Sequence, residues 1–370
     1  GRRGAHGGSR VSRRILVARL DSMGDVLVSG PAVRAVAASA EVVLLAGPQG
    51  AAAARLLPGV AAVEVVDAPW ITGSTAAVDA ALVARFAEIV ATHGIDEAVL
   101  LTSFHQSPLP TALLLRLAGI GRITGASVDY PGSLLDVRLR PGDGPGDDLP
   151  EDLPEPERAL AIARAAGFRL PHGDDGRLAV CTPPPVGRVL GPVALCPYVV
   201  LHPGAAVPAR RWPVEHHRRA ARMLERLGLP VVVTGGSGER GLTAAVADGC
   251  ALDLGGRTDL GQLAGVLAGA VALVAGNTGA AHLAAAVGTP VVSLFAPVVP
   301  AAKWRPYKVP QMLLGDQAAP CRDTRARDCP VPGHPCLSSV APEEVVSAVR
   351  RLYPLLGRTG TGRTGRTNDT

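Results

Sequence analysis

Aromatic residues make up only 3% of this 370-residue chain, although hydrophobic residues make up 47%. A core of that composition has to be filled by Ala, Val and Leu, which suits tightly packed layers of helix and sheet. Lysine is nearly absent: only Lys303 and Lys308 occur, and arginine supplies the rest of the 37 basic residues. That bias, with 44 glycines and 33 prolines, reflects a GC-rich coding sequence more than a chemistry. No uninterrupted apolar run reaches the roughly 18 residues needed for a transmembrane helix, and the N-terminus has no signal-peptide core. A soluble, cytoplasmic protein is therefore expected, with peripheral membrane contact at the inner face left open. Only six cysteines are present, too few for a disulfide scaffold at this length.

The formal charge of +5 raises the question of nucleic acid, but the charge sits at the ends. The first fourteen residues hold five arginines and no acid, and the stretch from Leu355 carries a net +2, which leaves the body at −2. Solvated basic tails, and no nucleic-acid partner, are the expectation. Length favours two domains, taking roughly 150 residues for each.

What is present is alternation. The stretch VALVAGNTGAAHLAAAVGTPVVSLF, 271–295, reads as strand, tight turn, helix, loop and strand. Both apolar runs lack a polar face, as in parallel strands buried between helix layers. Strands are also predicted at 15–20, 42–46, 63–66 and 98–102, with a helix opened by Asp21-Ser22-Met23-Gly24-Asp25 and others around 48–57, 76–92 and 109–118. The Pro- and acid-rich residues 141–156 read as an excursion, 157–166 as a helix, and 171–192 as an interdomain linker. A second alternating series begins at Val199, and 303–337 reads as irregular before a last helix at 342–353. The fold class is α/β, two doubly wound halves with a site in the cleft between them.

In such sheets ligands bind at the carboxyl ends of strands, where helix N-termini suit phosphate. The second half collects such features: the turn at Gly204, the pair Arg210 and Arg211, the turn at 235–238, and the helix start at Thr278. Arginine can hold a diphosphate by two parallel charged hydrogen bonds. The first half offers Asp25, a carboxylate placed to take a proton from a hydroxyl, although a first-turn acid also simply complements the helix dipole. Ser103, His105 and Ser107 lie in a polar loop after a strand and are candidate acceptor contacts; a lone loop histidine is more often merely solvated. Gly236-x-Gly238-x-x-Gly241 follows a strand and opens a helix, as in a dinucleotide fingerprint. The acid that should follow about 20 residues later is out of place, since Asp253 comes too soon. Cys321, Cys329, Cys336 and His334 lack the tight Cys-x-x-Cys spacing of a zinc site, so no metal is expected.

Five segments in order, ILVARLDSMGDVLVSGPAVRAV (15–36), VVLHPGAAVPARRWPVEHH (199–217), VVVTGGSGER (231–240), DLGGRTDLGQLAGVLAGA (253–270) and GNTGAAHLAAAVGTPVVSLF (276–295), resemble glycosyltransferase family 9, the heptosyltransferase-like enzymes. The resemblance implies a GT-B architecture, two Rossmann-like domains facing each other across a cleft. Residues 13–185 would form the acceptor domain and 186–340 the donor domain, with a helix at 341–354 crossing back to the first domain and disordered tails at 1–12 and 355–370. It implies inverting, metal-independent transfer from a nucleotide-diphosphate sugar, ADP-heptose by analogy, to a glycan, lipid-linked or small-molecule hydroxyl, with no cofactor; a monomer is the expectation for the chain. Asp25 would be the general base and Arg211 would stabilise the leaving diphosphate, with the N–H groups of Thr278 and Gly279. Glu239 would lie near the ribose. Gly24, His202, Gly204, Ala205, Gly235, Asn277 and His282 complete the implied donor contacts, although a helix histidine such as His282 can also serve only to bond its own turn. Asn277 stands where the family usually has aspartate, which implies an altered donor sugar or lost activity. The competing readings are an NAD(P)-dependent oxidoreductase using the 236–241 turn and a noncatalytic nucleotide- or glycan-binding relative.

Overall fold

The computed structural model describes residues 13–72 and 75–356. The basic stretches 1–12 and 357–370, read above as tails, lie outside the described residues, while Leu355 and Leu356 belong to the last helix. The chain separates into two compact units. The first runs to Ser22 and includes Ser29–Glu151 and Glu157–Gly176; the second takes Met23–Val28, Asp152–Pro156 and everything from Arg177.

Unit 1 is built on six strands: β1 (Arg14–Arg19), β2 (Glu41–Ala46), β3 (Val60–Val65), β4 (Glu97–Leu100), β5 (Arg122–Ala126) and β6 (Val137–Leu139). They are parallel and lie in the order β3-β2-β1-β4-β5-β6. Unit 2 repeats the plan with β7 (Val199–His202), β8 (Val231–Val233), β9 (Leu252–Asp253), β10 (Ala272–Gly276), β11 (Val291–Leu294) and β12 (Gln311–Leu314), in the order β12-β11-β10-β7-β8-β9. Both are the doubly wound order of a Rossmann fold. The direction of winding reverses between β1 and β4 in one sheet and between β7 and β10 in the other, and that is where such sheets bind ligands.

The central strands are apolar on both faces because helices cover both. Ile15, Leu16 and Val17 of β1 and Ala272 to Ala275 of β10 are fully buried. Small side chains let the layers close together: Gly47, which follows β2, sits so near the end of β1 that a Cβ there would overlap the Leu20 carbonyl oxygen. The few aromatics include fully buried core members such as Phe86 and Phe295, and Trp70 meets Phe86 at 6.4 Å between ring centroids.

Several elements differ from the sequence reading for identifiable reasons. The first helix is two helices, Met23–Val28 and Gly30–Ala37, because Gly30 and Pro31 interrupt it and Pro31 has no N–H to give. The helix expected from 76 starts at Ala80, where the Asp79 side chain accepts the Leu82 N–H at 3.0 Å. Strands β5, β6 and β12 were not anticipated. They are three to five residues long, too short for a period, and β12 lies inside the stretch read as irregular. The last helix, Pro342–Leu356, packs within unit 2: Arg219 reaches Glu343 at 3.0 Å, and Trp212 Nε1 donates to Val340 O at its start at 3.1 Å.

The Gly47 contact is with backbone, which cannot rotate away. Gly47→Ala is expected to cost about 1–3 kcal/mol and to lower the Tm of the unfolding transition that belongs to unit 1. Thermal unfolding followed by circular dichroism checks this; an unchanged Tm would show that β1 and β2 have slack there.

Candidate active site

In unit 2 the carboxyl ends of β7 and β10 carry the residues singled out from the sequence. β10 ends in Gly276, where a Cβ would stand 2.6 Å from Arg210 O, so this glycine admits the Pro208–Arg210 turn. That turn is held from its other side: Ala209 N–H donates to Arg327 O at 2.9 Å, and His334 Nε2 lies 3.1 Å from Ala209 O. Thr278 is extended at the N-cap of the helix Gly279–Ala286, whose first N–H groups have no helical partner to give to.

Against that helix start lies the start of Met23–Val28. A Cβ on Gly24 would be 3.1 Å from His282 Cδ2 and 3.3 Å from Gly279 Cα, and one on Gly279 would overlap Met23 Cε. The two glycines are therefore in backbone contact, and Asp25, one residue on, is held near Arg210 and His282. Burial is the main force holding the His282 imidazole down to about 4, with Asp25 opposing and Arg210 reinforcing it. Arg210 is lowered by burial, with Asp25 opposing and Arg325 adding to it. Three polar atoms here, Arg210 Nε, Thr278 Oγ1 and His282 Nδ1, are buried without a hydrogen-bond partner among the described residues. Buried polar groups are ordinarily paired, so three at one point mark a place made for a polar ligand.

Beside it, Glu239 fills the space over two glycines: a Cβ on Gly204 would overlap its carboxylate, and one on Gly235 would come 3.1 Å from Oε2. Gly236 N–H donates to Glu239 Oε2 at 2.8 Å. His202 Nδ1 lies 3.0 Å from Thr234 Oγ1, and burial lowers its imidazole while Glu239 opposes. Asn277 is buried. Arg211 is exposed and donates through Nε and Nη2 to Ala205 O at 3.2 and 3.0 Å, fixing the 204–206 turn. The guanidinium brought to Asp25 and His282 is that of Arg210, which the sequence marked only as one of a basic pair. Arg325 was missed altogether, since it lies on an irregular loop 115 positions further on and nothing in the local pattern marks it.

In unit 1, Ser103 is buried and its hydroxyl is committed: Arg19 Nη2 donates to it at 2.7 Å, and it donates to Asp21 Oδ2 at 3.2 Å. Arg19 and Asp21 are themselves paired at 3.0 Å. His105 stays exposed, edge-on to Phe104, and Ser107 Oγ accepts the Leu109 N–H at 3.3 Å. Both line a cavity of about 200 Å³.

Cys321 and Cys336 are buried close together, and burial first, then the neighbouring thiols Cys321 and Cys329, pushes the Cys336 thiol up to about 12. All six cysteines are free thiols, and among the described residues no group of three or more His, Cys, Asp or Glu is arranged to hold a metal ion.

A model of glycosyltransferase family 9 (heptosyltransferase) matches residues 168–334. Over those residues, somewhat less than half of its length, the chain is similar to that family. It is 33% identical over 113 residues to the lipooligosaccharide heptosyltransferase 2 of Haemophilus influenzae, which covers 28% of this chain and 32% of the relative. The chain thus spans about a third of the length of that curated relative. Among solved structures, a family 9 glycosyl transferase from Veillonella parvula DSM 2008 superposes with a TM-score of 0.73 at 18% identity, covering 93% of this chain and 98% of the other. The E. coli ADP-heptose LPS heptosyltransferase II gives 0.70 at 20% identity, covering 93% and 99%. The fold is GT-B, with two Rossmann-like domains. No helix among the described residues is long and apolar enough to cross a membrane.

The dinucleotide-fingerprint reading of Gly236 to Gly241 finds no support. That spacing follows β8, one strand away from the reversal between β7 and β10, and the Glu239 carboxylate occupies the neighbouring glycine-lined space.

His282 and His217 give the site a pH signature. Burial, then His202 and His216, holds His217 down to about 3. Below about 6.5 the unfolded chain takes up protons that these two imidazoles refuse until about 4 and about 3. Their contribution to stability is therefore intact above pH 6.5 and is lost as the pH falls toward those folded values. Tm measured from pH 7 to pH 4.5 should fall steadily, and His217→Gln should flatten the slope; a Tm constant to pH 5 would contradict the burial of both rings.

Proposed function

We propose that the chain is an inverting, metal-independent glycosyltransferase that moves a sugar from a nucleotide-diphosphate donor to an acceptor hydroxyl. The observation that carries this is the meeting of one carboxylate, one half-buried guanidinium and a helix start at the β7–β10 reversal, with Arg210 Nε, Thr278 Oγ1 and His282 Nδ1 unpaired. A diphosphate answers all of it: the guanidinium and helix N–H groups offset its charge, and the orphaned atoms gain partners. On this reading Asp25 accepts the proton of the acceptor hydroxyl as its oxygen attacks the anomeric carbon from the face opposite the diphosphate. The glycosidic bond to the donor breaks in the same displacement, and the departing charge is met by Arg210 and the N–H groups of Thr278 and Gly279. His282, neutral at pH 7, offers a hydrogen bond without a competing charge. Glu239 is suited to accept from ribose hydroxyls, and His202, Gly204 and Ala205 border the nucleotide.

ADP-heptose is the donor suggested by analogy with the E. coli relative. Asn277 presents a carboxamide, which both donates and accepts, where the family usually places a carboxylate, so sugar hydroxyls are met without negative charge. On this reading the acceptor contacts lie in unit 1, at His105 and Ser107. The chain would act as a cytoplasmic monomer, with no more than peripheral membrane contact.

The test begins with thermal stabilisation by ADP, GDP, UDP, nucleotide sugars and NAD(P). A nucleoside diphosphate at a hundred times its Kd should add about 2.7 kcal/mol, and NAD(P) should add nothing. Asp25→Asn should lower turnover by about 10²–10⁴-fold while nucleotide stabilisation persists. Arg210→Ala should weaken nucleotide binding more than Arg211→Ala does. Undiminished turnover in Asp25→Asn would remove the assigned base, and stabilisation by NAD(P) alone would end the transferase reading.

A further inference from the structure

Resting on that reading, we propose that the cavity of unit 1 lined by Phe104, His105, Gln106, Ser107, Asp129 and Arg158 binds an uncharged, hydroxyl-rich ring, a glycoside carrying neither carboxylate nor phosphate.

The cavity opens where β4, β5 and β6 end, which is the ligand side of a doubly wound sheet. Its volume of about 200 Å³ is below the roughly 300–1,000 Å³ of sites for drug-sized molecules, which limits the part enclosed to about one ring. Phe104, Ala126 and Pro141 give it apolar surface for the C–H face of such a ring. The polar groups are of mixed kind. Gln106 spends its carbonyl oxygen on Ser103 N–H at 3.1 Å, so what it has for a ligand is its amide N–H donors. Ser107 and His105 add a hydroxyl and an imidazole.

The charges decide the class. Arg158 is 4% exposed, with Nε directed to Thr102 O at 3.4 Å, and Asp129 is exposed. The two formal charges of the lining cancel. The loop that contributes Pro141 is negative on balance, with Asp143, Asp147, Asp148 and Glu151 against one exposed cation, Arg140, just before it. The cation on the adjoining strand is occupied elsewhere, since Arg138 donates to Ser127 O at 2.9 Å and Val128 O at 2.8 Å. An anionic acceptor would meet those carboxylates on approach and gain one buried guanidinium already engaged with backbone. A neutral polyol instead gives its hydroxyl protons to Asp129 and accepts from Arg158, Gln106 and His105, without a net charge to desolvate.

The experiment is saturation-transfer-difference NMR titration of the full chain with methyl glucoside, methyl glucuronide and methyl glucoside 6-phosphate, in parallel with the ADP thermal shift. The neutral glycoside is expected to bind at least about 10-fold more tightly than either anion. Asp129→Asn should narrow that ratio, and Phe104→Ala should weaken all three, while both variants keep the wild-type ADP shift as proof of an intact donor unit. Equal or tighter binding of an anionic sugar, no binding of the neutral one, or a ratio unmoved by Asp129→Asn would each overturn the proposal. A protein that binds the neutral glycoside but ignores nucleotides would retain this pocket and lose the transferase reading instead.

Discussion

The contact on which the candidate site depends is the meeting of Gly24 and Gly279. A Cβ at Gly24 would press on His282 and on the Gly279 backbone, and one at Gly279 would displace the Met23 methyl and press on the Gly24 backbone. The consequence is topological: Met23–Val28 is flanked in sequence by residues of the first unit yet clusters with the second. A carboxylate from the early chain is thereby fixed against residues some 190 to 260 positions later. Val28, at the other end of the short helix, joins Leu178 and Ala285 in a small apolar cluster that Trp304 and Tyr307 pack against. The helix is thus gripped at both ends, by backbone proximity at one and by hydrophobic burial at the other.

Electrostatics then shape what the grip creates. Burial is the main force disfavouring the Arg210 charge; Asp25 opposes it, and Arg325 adds to it by less than Asp25 relieves. A half-buried guanidinium beside a helix start costs free energy in the unliganded protein, and an anion there would offset that cost. Arg211 beside it shows the contrast. Its charge is exposed and its donors are used on a single carbonyl, so it shapes the turn while Arg210 supplies the field.

Much of this was legible in the residues. The apolar runs with no polar face announced buried parallel strands, and the Gly-rich turns after them located the ligand side of both sheets. Asp25, Asn277, Thr278, Gly279 and His282 were singled out because each stands immediately after a strand or within the first turns of the following helix. The limits were equally physical. Strands such as Val137–Leu139 are too short to show a period, and their existence depends on a neighbouring strand with free hydrogen-bonding groups. Ser103 looked available because a polar loop residue after a strand usually is. Its commitment to Arg19 and Asp21 depends on the pairing of β1 with β4, which no local pattern reveals.

Composition and periodicity by themselves determined the α/β class, the repeated doubly wound plan and the strand ends that form the candidate site, because these follow from backbone hydrogen bonding and the burial of apolar faces at short range. Tertiary structure alone decided which of two adjacent arginines faces Asp25, which unit owns the Asp25 helix, and that Glu239 fills the glycine-lined space beside Gly204 and Gly235. Those outcomes depend on atoms brought within a few ångströms from distant parts of the chain. Direction of a side chain and loss of solvent are properties of that packing, and a single residue's identity does not carry them.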